Sequence, residues 1–473
     1  MAYIAKKFIG SNELEGELLD VISPYSGEVV TKYVKCDEND VKKVLQIAKH
    51  SFNISKRTSL SQRILWIEDV AKKLEENKEY FALLITKEVA KPISQSRIEV
   101  QRCIENLQLC AKELINLNGE TFSTDATISG IKTEAYFKRV PAGVVVAITP
   151  FNFPLNLVAH KIAPALGAGN SVILKPTPEA PFVAYSFAKL FIESEYAIKD
   201  ALSVVYGDAE VGGALVSSSI PRIISFTGSV GVGKIITKNA GIKKVALELG
   251  GNAATYIQDS ADLEKAAKRC AIGAFSNSGQ VCISLQRIYV DENVYEEFAE
   301  KLAIESKKLV VGDPFKEDTF MGPLINEDSV NRAKNWVESA INEGARLIAG
   351  GAIKDGNVFT PTILADVTDE MNVVCEEVFA PIVSLVKVKN FDEALEKINN
   401  SPYGLQFSIF TNRLDLTKRA INEFDCGGVV INDIPTLRFD IQPYGGVKFS
   451  GIGKEGPKYA LEEMTEIKSI VIC

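Results

Sequence analysis

Cys282 is the cysteine of this chain whose setting best suits it to act as a nucleophile. It lies in the segment Asn277 to Ser284, after a glycine-containing break that follows a predicted helix. Such a break can present a thiol to a cleft, where a thiolate attacks an electrophilic carbon such as that of an aldehyde. The chain has eight cysteines, and because the others lack a comparable setting, we interpret them as structural.

Two polar residues at predicted strand ends are candidates for the same site. Glu248 ends an apolar strand just before a Gly-Gly break, where a carboxylate is costly unless it is paired or neutralised. It is either a salt-bridged strand residue or a general base with a raised pKa. Asn152 follows another predicted strand. Its amide suits an oxyanion donor, although the position also suits a turn.

Two further segments could bind phosphate or ribose. The run Phe226 to Gly233 closes a predicted strand and opens a helix, so its glycines and the helix N-terminus can receive a phosphate. Its spacing is not the standard dinucleotide fingerprint, and taken alone it predicts a tight turn. Lys175 ends another predicted strand and, taken alone, equally suits a solvated loop.

The elements that must position these residues alternate between strand and helix. The apolar run Val144 to Ile148 is typical of a buried parallel strand. Further strands are predicted at 172–174, 202–206, 222–226 and 245–249, and helices at 154–166, 182–192, 211–217 and 231–240. This alternation predicts a doubly wound parallel sheet, which binds ligands at the carboxyl ends of its strands.

The regions on either side of this block are predicted more coarsely. The chain up to about Gly119 is expected to be largely helical, with Asp37 as the N-cap of its first helix. A second alternating block is expected from about Ala253 to Asn432. Segment 121–140 is interpreted as a strand pair or arm, and the extended run at 467–473 as a late strand. The individual predictions are helices at 37–50, 63–77, 98–117, 262–276 and 294–310, and strands at 288–290, 382–388 and 429–432.

Composition narrows the functional class. A length of 473 residues predicts two or three domains. A net charge of −8 argues against a nucleic-acid partner. We expect no membrane partner and a cytoplasmic location, because no apolar run is long enough to span a bilayer and the start lacks a signal-peptide pattern. With only two histidines and scattered cysteines, no metal site is predicted and the thiols are expected to be free.

Taken together, these segments resemble the aldehyde dehydrogenase superfamily over essentially the whole chain. The resemblance is nearest to the lactaldehyde and non-phosphorylating glyceraldehyde-3-phosphate dehydrogenase branch. The matching pieces are Thr149-Pro-Phe-Asn-Phe-Pro, Lys175-Pro-Thr, Phe226 to Gly233, Leu247-Glu-Leu-Gly-Gly, Gly279-Gln-Val-Cys, Glu376-Glu-Val-Phe-Ala-Pro and Pro443 to Gly451.

The resemblance implies a role for each motif. Cys282 would be the nucleophile, Asn152 and the Cys282 amide the oxyanion donors, and Glu248 the base that activates water to hydrolyse a thioester. Lys175 would contact the adenosine ribose, Ser229 the pyrophosphate and Glu377 the nicotinamide ribose. The full set of implied cofactor-binding residues is Thr149, Pro150, Phe151, Lys175, Thr177, Gly228, Ser229, Gly233, Leu249, Glu377 and Phe379.

The resemblance also implies an α/β fold with three parts. A Rossmann-like, doubly wound NAD(P)-binding domain would comprise residues 1–120 and 141–250, and an α/β catalytic domain residues 251–445. A small β oligomerisation arm would comprise 121–140 and 460–473, which suggests a homodimer or homotetramer. Relatives that prefer NAD often carry a glutamate where this chain has Pro178, with Glu179 one residue later. The missing carboxylate favours NADP or the use of both cofactors.

The substrate is expected to be a short hydroxylated or anionic aldehyde, such as lactaldehyde, glyceraldehyde-3-phosphate or succinic semialdehyde. Arg102 and Arg438 are similar to anion-binding arginines of the phosphate-using relatives, although surface ion pairs would explain them equally well. Those relatives carry an arginine and a tyrosine where this chain has Val281 and Phe153, which argues against full phosphate specificity. Two alternatives stay open: a CoA-acylating semialdehyde dehydrogenase, and a catalytically silent NAD(P)-binding scaffold.

Overall fold

The computed structural model describes residues 2–473, and its chain begins with strands. The prediction of a largely helical region up to Gly119 is wrong for this start. The strands there are short and pair with distant residues, as Phe8 does with Val204, so they leave little local periodicity. They are β1 (Tyr3–Ala5), β2 (Lys7–Ile9), β3 (Asn12–Leu14), β4 (Leu18–Ile22) and β5 (Val29–Val34).

Four helices follow, and the first confirms its predicted cap. The Asp37 side chain accepts a hydrogen bond from the Asp40 amide at 2.8 Å, which satisfies a free N–H group of the first turn. The sequence analysis did not predict the third of these helices. They are α1 (Glu38–Ser55), α2 (Leu60–Glu76), α3 (Lys78–Val89) and α4 (Ile93–Glu113).

The next part of the chain alternates between strand and helix as predicted. Helix α5 begins two residues after its predicted start at Pro154. Its elements are β6 (Glu134–Pro141), β7 (Val144–Ile148), α5 (Asn156–Gly167), β8 (Ser171–Lys175), α6 (Pro181–Ile192), β9 (Leu202–Val204), α7 (Ala209–Ser217), β10 (Pro221–Thr227), α8 (Val230–Ala240) and β11 (Lys244–Glu248).

The remaining elements form the second half of the molecule. They are β12 (Ala253–Ile257), α9 (Leu263–Phe275), β13 (Leu285–Asp291), α10 (Tyr295–Lys307), α11 (Glu327–Asn342), β14 (Arg346–Ala349), β15 (Ile353–Asp355), β16 (Val358–Phe359), β17 (Thr362–Ala365), α12 (Asn372–Cys375), β18 (Ile382–Val388), α13 (Phe391–Asn399), β19 (Tyr403–Gly404), β20 (Gln406–Phe410), α14 (Leu414–Glu423), β21 (Gly428–Ile431), β22 (Val447–Lys448), β23 (Gly451–Ile452), α15 (Pro457–Glu463) and β24 (Thr465–Ile472).

Two large sheets organise these elements, as expected for this α/β fold. The first has eight strands in the order β23-β11-β10-β7-β8-β9-β2-β3, and the second has seven in the order β14-β17-β18-β13-β12-β20-β21. In the first sheet the chain moves outward from β7 in both directions. The doubly wound order therefore reverses between β7 and β10, where ligands bind in such sheets. The domain boundary predicted after residue 250 falls between β11 and β12.

The segment predicted as a strand pair holds one long strand, β6. Its partner is β24 at the other end of the chain, in antiparallel register from Glu134 opposite Ile472 to Pro141 opposite Thr465. The late strand thus pairs with a distant part of the same chain, and the two form a separate ribbon. No helix within residues 2–473 is long and apolar enough to cross a membrane.

Candidate active site

The carboxyl ends of the first sheet bring the predicted polar residues to one edge. β7 pairs in parallel with both β8 and β10, and β10 pairs with β11. The residues that follow these strands therefore converge. Asn152, Gly228 and Glu248 line one cavity of about 850 Å³ that also contains Cys282.

Cys282 is presented by an unusual loop. After α9 the backbone passes through three left-handed residues, Asn277 (φ 49°), Ser278 (φ 58°) and Gly279 (φ 71°). The last must be glycine, because a Cβ there would lie 2.2 Å from the Ala380 carbonyl oxygen. Hydrogen bonds hold the loop from outside. Gln95 accepts from the Asn277 amide at 2.9 Å, and the Ser278 hydroxyl donates to the Gly322 carbonyl at 2.8 Å.

The thiol of Cys282 lies in a mostly apolar pocket. Burial raises its pKa to about 11, while a hydrogen bond with Tyr444 and the positive charge of Arg438 oppose that rise. Val281 and Phe153 belong to the apolar cluster around the sulfur. These two predicted substrate-binding positions therefore contribute no polar side chain to the pocket.

Asn152 lies against the Cys282 loop. Its Nδ2 donates to the Gln280 backbone carbonyl at 3.0 Å, and the backbone carbonyl of Asn152 accepts from the Asn277 side chain at 3.3 Å. These contacts fix the amide beside the nucleophile and leave it a second N–H for an oxyanion. Gln280 and Asn277 are site residues that the sequence analysis did not single out.

Glu248 is the general-base candidate, and its environment fits that role. It is 6% exposed, and among the residues of the described range no group donates a hydrogen bond to its Oε2. Burial raises its pKa well above the usual value, and the negative charge of Glu455 raises it further. Arg438, Lys161 and Lys454 act in the opposite direction. A raised pKa makes the ionised carboxylate a stronger base than an ordinary glutamate, which suits acceptance of a proton.

Paired charges line the cavity on the side of α4 and α5. Arg102 binds both oxygens of Asp440, at 2.9 and 2.7 Å, and His160 Nε2 lies 3.0 Å from the same carboxylate. Lys91 forms a buried ion pair with Glu99. The other oxygen of Glu99 accepts from the amides of Leu155 and Asn156 at 2.9 and 3.1 Å, so this pair fixes the start of α5.

The side chain of Arg438 is only 9% exposed, so Arg438 does not form a surface ion pair. Its Nη2 lies 3.1 Å from Glu455, which Lys161 contacts from the other side at 3.1 Å. Glu455 is buried, but Lys161, His160 and Arg438 lower its pKa to about 2. The Nε of Arg438 has no hydrogen-bond partner within residues 2–473 and lies 3.9 Å from Asp440 Oδ1.

The sequence analysis missed Lys161 and Glu455. One available signal was a lysine within the apolar helix segment 155–166.

The opposite side of the cavity is lined by backbone. Ser229 caps α8, and its Oγ accepts from the Val232 amide at 3.4 Å. A Cβ on Gly228 would lie 2.5 Å from the Phe226 ring, and one on Gly233 would lie 2.6 Å from Leu249. Both positions are packed too closely against protein side chains for a Cβ, and they lie beside a helix N-terminus that favours anions.

Glu377 and Phe379 lie next to this backbone. Glu377 accepts from the Gly251 amide at 3.0 Å, and burial raises its pKa to about 7 against that bond and the charge of Arg332. A Cβ on Gly250 would lie 2.3 Å from Glu377 Oε2. Phe379, at a left-handed φ of 48°, meets Phe151 edge to face at 6.0 Å between ring centroids.

Lys175 is buried rather than solvated. Burial lowers its pKa, and the negative charges of Glu179 and Asp208 oppose that effect. Thr177 donates a hydrogen bond to Glu179, while Pro178 is exposed. Lys175 and its two neighbouring carboxylates thus form a polar group at the end of β8, beside α7.

Comparison with known proteins identifies the class of protein to which this fold and site belong. Residues 9–470 match the model of the aldehyde dehydrogenase family, and the chain belongs to that family. It is an oxidoreductase that acts on aldehydes, which confirms the resemblance predicted from the sequence.

Three known proteins show where it lies within the family. A 3-sulfolactaldehyde dehydrogenase from Priestia megaterium is 42% identical over 98% of this chain and 96% of its own. A lactaldehyde dehydrogenase from Methanococcus vannielii is 40% identical over 98% of this chain and 99% of its own. The crystal structure of a glyceraldehyde-3-phosphate dehydrogenase from Methanocaldococcus jannaschii, complexed with NADP, has a TM-score of 0.93 and 39% identity. It covers 97% of this chain and 100% of that one.

Proposed function

We propose that this protein oxidises a short hydroxylated or anionic aldehyde to its carboxylic acid, with NAD or NADP, through a thioester on Cys282. The observation that carries the proposal is the buried carboxyl of Glu248, whose Oε2 has no hydrogen-bond partner within residues 2–473, in the same cavity as the Cys282 thiol. A base and a nucleophile that share one dry cleft suit acyl transfer to water.

The first step joins sulfur to carbon. The ionised Cys282 sulfur attacks the aldehyde carbon, an S–C bond forms, and the carbonyl electron pair moves onto oxygen. That oxyanion accepts hydrogen bonds from Asn152 Nδ2 and from the Cys282 amide. Donors already fixed in place stabilise the developing charge without reorganisation.

The backbone side of the cavity fits a dinucleotide. The hydroxyl oxygens of Thr149 and Thr227 are buried without a hydrogen-bond partner in residues 2–473, and Thr227, Gly228 and Ser229 line the cavity at the α8 N-terminus. Ser229 would hold the pyrophosphate, Lys175 and Glu377 the two riboses, and Phe379 the nicotinamide face. The chemistry that NAD(P) would supply when bound is to accept a hydride from the carbon attached to Cys282.

Glu248 completes the reaction. It takes a proton from water as the water oxygen attacks the thioester carbon, and the C–S bond breaks to release the carboxylic acid and the Cys282 thiolate. Transfer to CoA needs no base at this position, so Glu248 favours hydrolysis over the CoA-acylating alternative. The silent-scaffold alternative is disfavoured because Cys282, Glu248 and Asn152 are all retained and lie together.

Arg438 supports an anionic or hydroxylated substrate, because its Nε has no hydrogen-bond partner within residues 2–473. Arg102 supports it less, since Asp440 already accepts hydrogen bonds from its Nε and Nη2. Val281 and Phe153 leave an apolar wall where a phosphate would need further donors. One of the similar proteins is named for a sulfonated aldehyde and another for a hydroxylated one, in keeping with this choice.

The cofactor preference leans toward NADP or the use of both cofactors. Pro178 places no carboxylate beside the 2′ position of the adenosine ribose, and the carboxylate of Glu179 accepts a hydrogen bond from Thr177. The β6–β24 ribbon supports a homodimer or homotetramer, since it exposes apolar side chains such as Ile467 and Val471. Exposed apolar strands of this kind are usually covered by another subunit.

The initial rate of NAD(P)H formation tests this function. NAD and NADP are compared with lactaldehyde, glyceraldehyde-3-phosphate, succinic semialdehyde and a neutral aliphatic aldehyde. Reduction with the hydroxylated or carboxylate aldehydes, without CoA, is expected. No reduction with any aldehyde unless CoA is added would favour the acylating alternative, and none under either condition would favour the scaffold.

A further inference from the structure

The hydroxyl of Tyr444 lies 3.0 Å from Sγ of Cys282, and no step above uses it. The Tyr444 side chain is 5% exposed and packs with Val281, Ile283 and Leu405 in the cluster around the sulfur. Packing therefore fixes this hydroxyl against the reacting atom. It is a polar group in an otherwise apolar cluster, so its position calls for a partner.

The direction of this hydrogen bond changes with the charge on sulfur. A neutral thiol can donate or accept, but a thiolate has no proton, so the phenol must then be the donor. A hydrogen bond to a charged acceptor is stronger than a neutral one. The contact thus stabilises ionised Cys282 more than neutral Cys282, and it lowers the pKa of Cys282 against the effect of burial.

Arg438 strengthens the same effect from behind the tyrosine. Its guanidinium carbon lies 3.7 Å from the centroid of the Tyr444 ring. Burial raises the pKa of Tyr444, and the positive charge of Arg438 lowers it, which makes the phenol a better donor than it would be without Arg438. Glu248 and Glu377 act against ionisation, since their negative charges raise the pKa of Cys282. Two acidic residues thus oppose ionisation of Cys282, and Tyr444 and Arg438 favour it.

We propose that Tyr444 is a further catalytic residue, whose hydroxyl donates to the Cys282 thiolate and holds the sulfur in position for attack. This role rests on Cys282 being the nucleophile, as proposed above. It assigns a function to the tyrosine of the segment Pro443 to Gly451, and it gives Arg438 a second task besides contact with the substrate.

The test is the reactivity of Cys282 without substrate or cofactor. Tyr444→Phe removes the hydroxyl and keeps the ring. Alkylation of Cys282 by iodoacetamide is followed across the pH range, with the labelled peptide identified by mass spectrometry. In Tyr444→Phe the midpoint of the curve of alkylation rate against pH is expected to rise by about one pH unit relative to the wild type. At neutral pH the rate falls about threefold, because a tenfold smaller thiolate fraction is partly offset by a more nucleophilic thiolate.

Tyr185→Phe is the matched control, because it also removes a hydroxyl bonded to another side chain, here Glu13 at 2.7 Å. It should keep the wild-type curve. Arg438→Gln is the second variant should Tyr444→Phe fail to fold, and it is expected to move the midpoint upward too.

An unchanged curve in a folded Tyr444→Phe protein would overturn the role of Tyr444. If Cys282→Ala is inactive, the proposed function stands even when the role of Tyr444 is overturned. Full turnover by Cys282→Ala would instead remove the proposed function itself.

Discussion

The two walls of the cavity around Cys282 are built by different means. The substrate wall, formed by α4, α5 and residues 438–455, consists of charged side chains that pair with one another. Examples are Arg102 with Asp440 and Arg438 with Glu455. The proposed cofactor wall, formed by residues 227–229 and 248–250, has two glycines, Gly228 and Gly250, at which a Cβ would lie 2.5 Å from the Phe226 ring and 2.3 Å from Glu377.

This difference separates how each wall can change. On the proposed substrate wall, specificity depends on side chains, and breaking a buried pair such as Arg438 with Glu455 leaves a buried charge, at a cost of about 3–5 kcal/mol. On the cofactor wall, one added methyl group displaces a neighbour. Substitutions on the two walls should therefore separate aldehyde recognition from cofactor recognition, with Cys282 and Glu248 at the junction common to both.

The largest effect is expected at that junction. Cys282→Ala should lower turnover by at least about 10⁴-fold, since no other group can form the thioester. Both walls stay intact, so NAD(P) affinity, measured by fluorescence titration, should stay at the wild-type value. Cys473→Ala, at an exposed thiol, is the control. Near-normal turnover of Cys282→Ala would refute the nucleophile assignment.

Glu248→Gln should slow hydrolysis by about 10²–10⁴-fold and let the acyl-enzyme accumulate for detection by mass spectrometry. Burial and Glu455 raise the pKa of Glu248, so its basic form grows as pH rises through that raised value. Wild-type deacylation should thus increase with pH, and the variant should lose this dependence. The control is Glu193→Gln, an exposed carboxylate. A variant with normal turnover and no adduct would exclude Glu248 as the base.

On the substrate wall, Arg438→Gln should reduce kcat/KM for an anionic aldehyde about 100-fold, the value of a hydrogen bond to a charged group. A neutral aldehyde should lose no more than about threefold, through the lower reactivity of Cys282. Arg413→Gln, which breaks an exposed pair with Asp415, is the control. Equal losses for both aldehydes would show that Arg438 does not read the substrate charge.

The smallest effect is expected on the cofactor wall. Gly250→Ala should raise the KM for NAD(P) about tenfold and leave the KM for the aldehyde unchanged, because the new Cβ displaces the Glu377 carboxylate. At Gly213 a Cβ meets no atom of residues 2–473 within 4 Å, so Gly213→Ala is the matched control. A change confined to the aldehyde KM would contradict the division between the walls.

The sequence predicted the central strands well because they are short, mostly apolar segments with most of their residues buried, as β7 and β8 are. β7 and β18 have the predicted bounds, and the other strands of the first block lie within a few residues of theirs. The same patterns placed Cys282, Glu248 and Asn152 at element ends, and the structure brings all three to one cavity.

The rest depends on contacts between distant residues. β1 to β5 are short strands whose partners include a strand about 200 positions away, so no local period marks them. The bond between Cys282 and Tyr444 joins residues 162 positions apart. Glu455 is an ordinary acidic residue until Lys161 and Arg438 surround it. No single segment encodes such pairings.

The loop that carries Cys282 has a consequence for how the enzyme comes into being. Its left-handed turn is held by Gln95 from α4, Gly322 from the segment before α11 and Asn152 from the first sheet. None of these groups adjoins the loop in sequence, so the turn acquires its shape only once both sheets have formed and docked. A newly synthesised chain should therefore gain helix content and compactness first, and it should become catalytically active last.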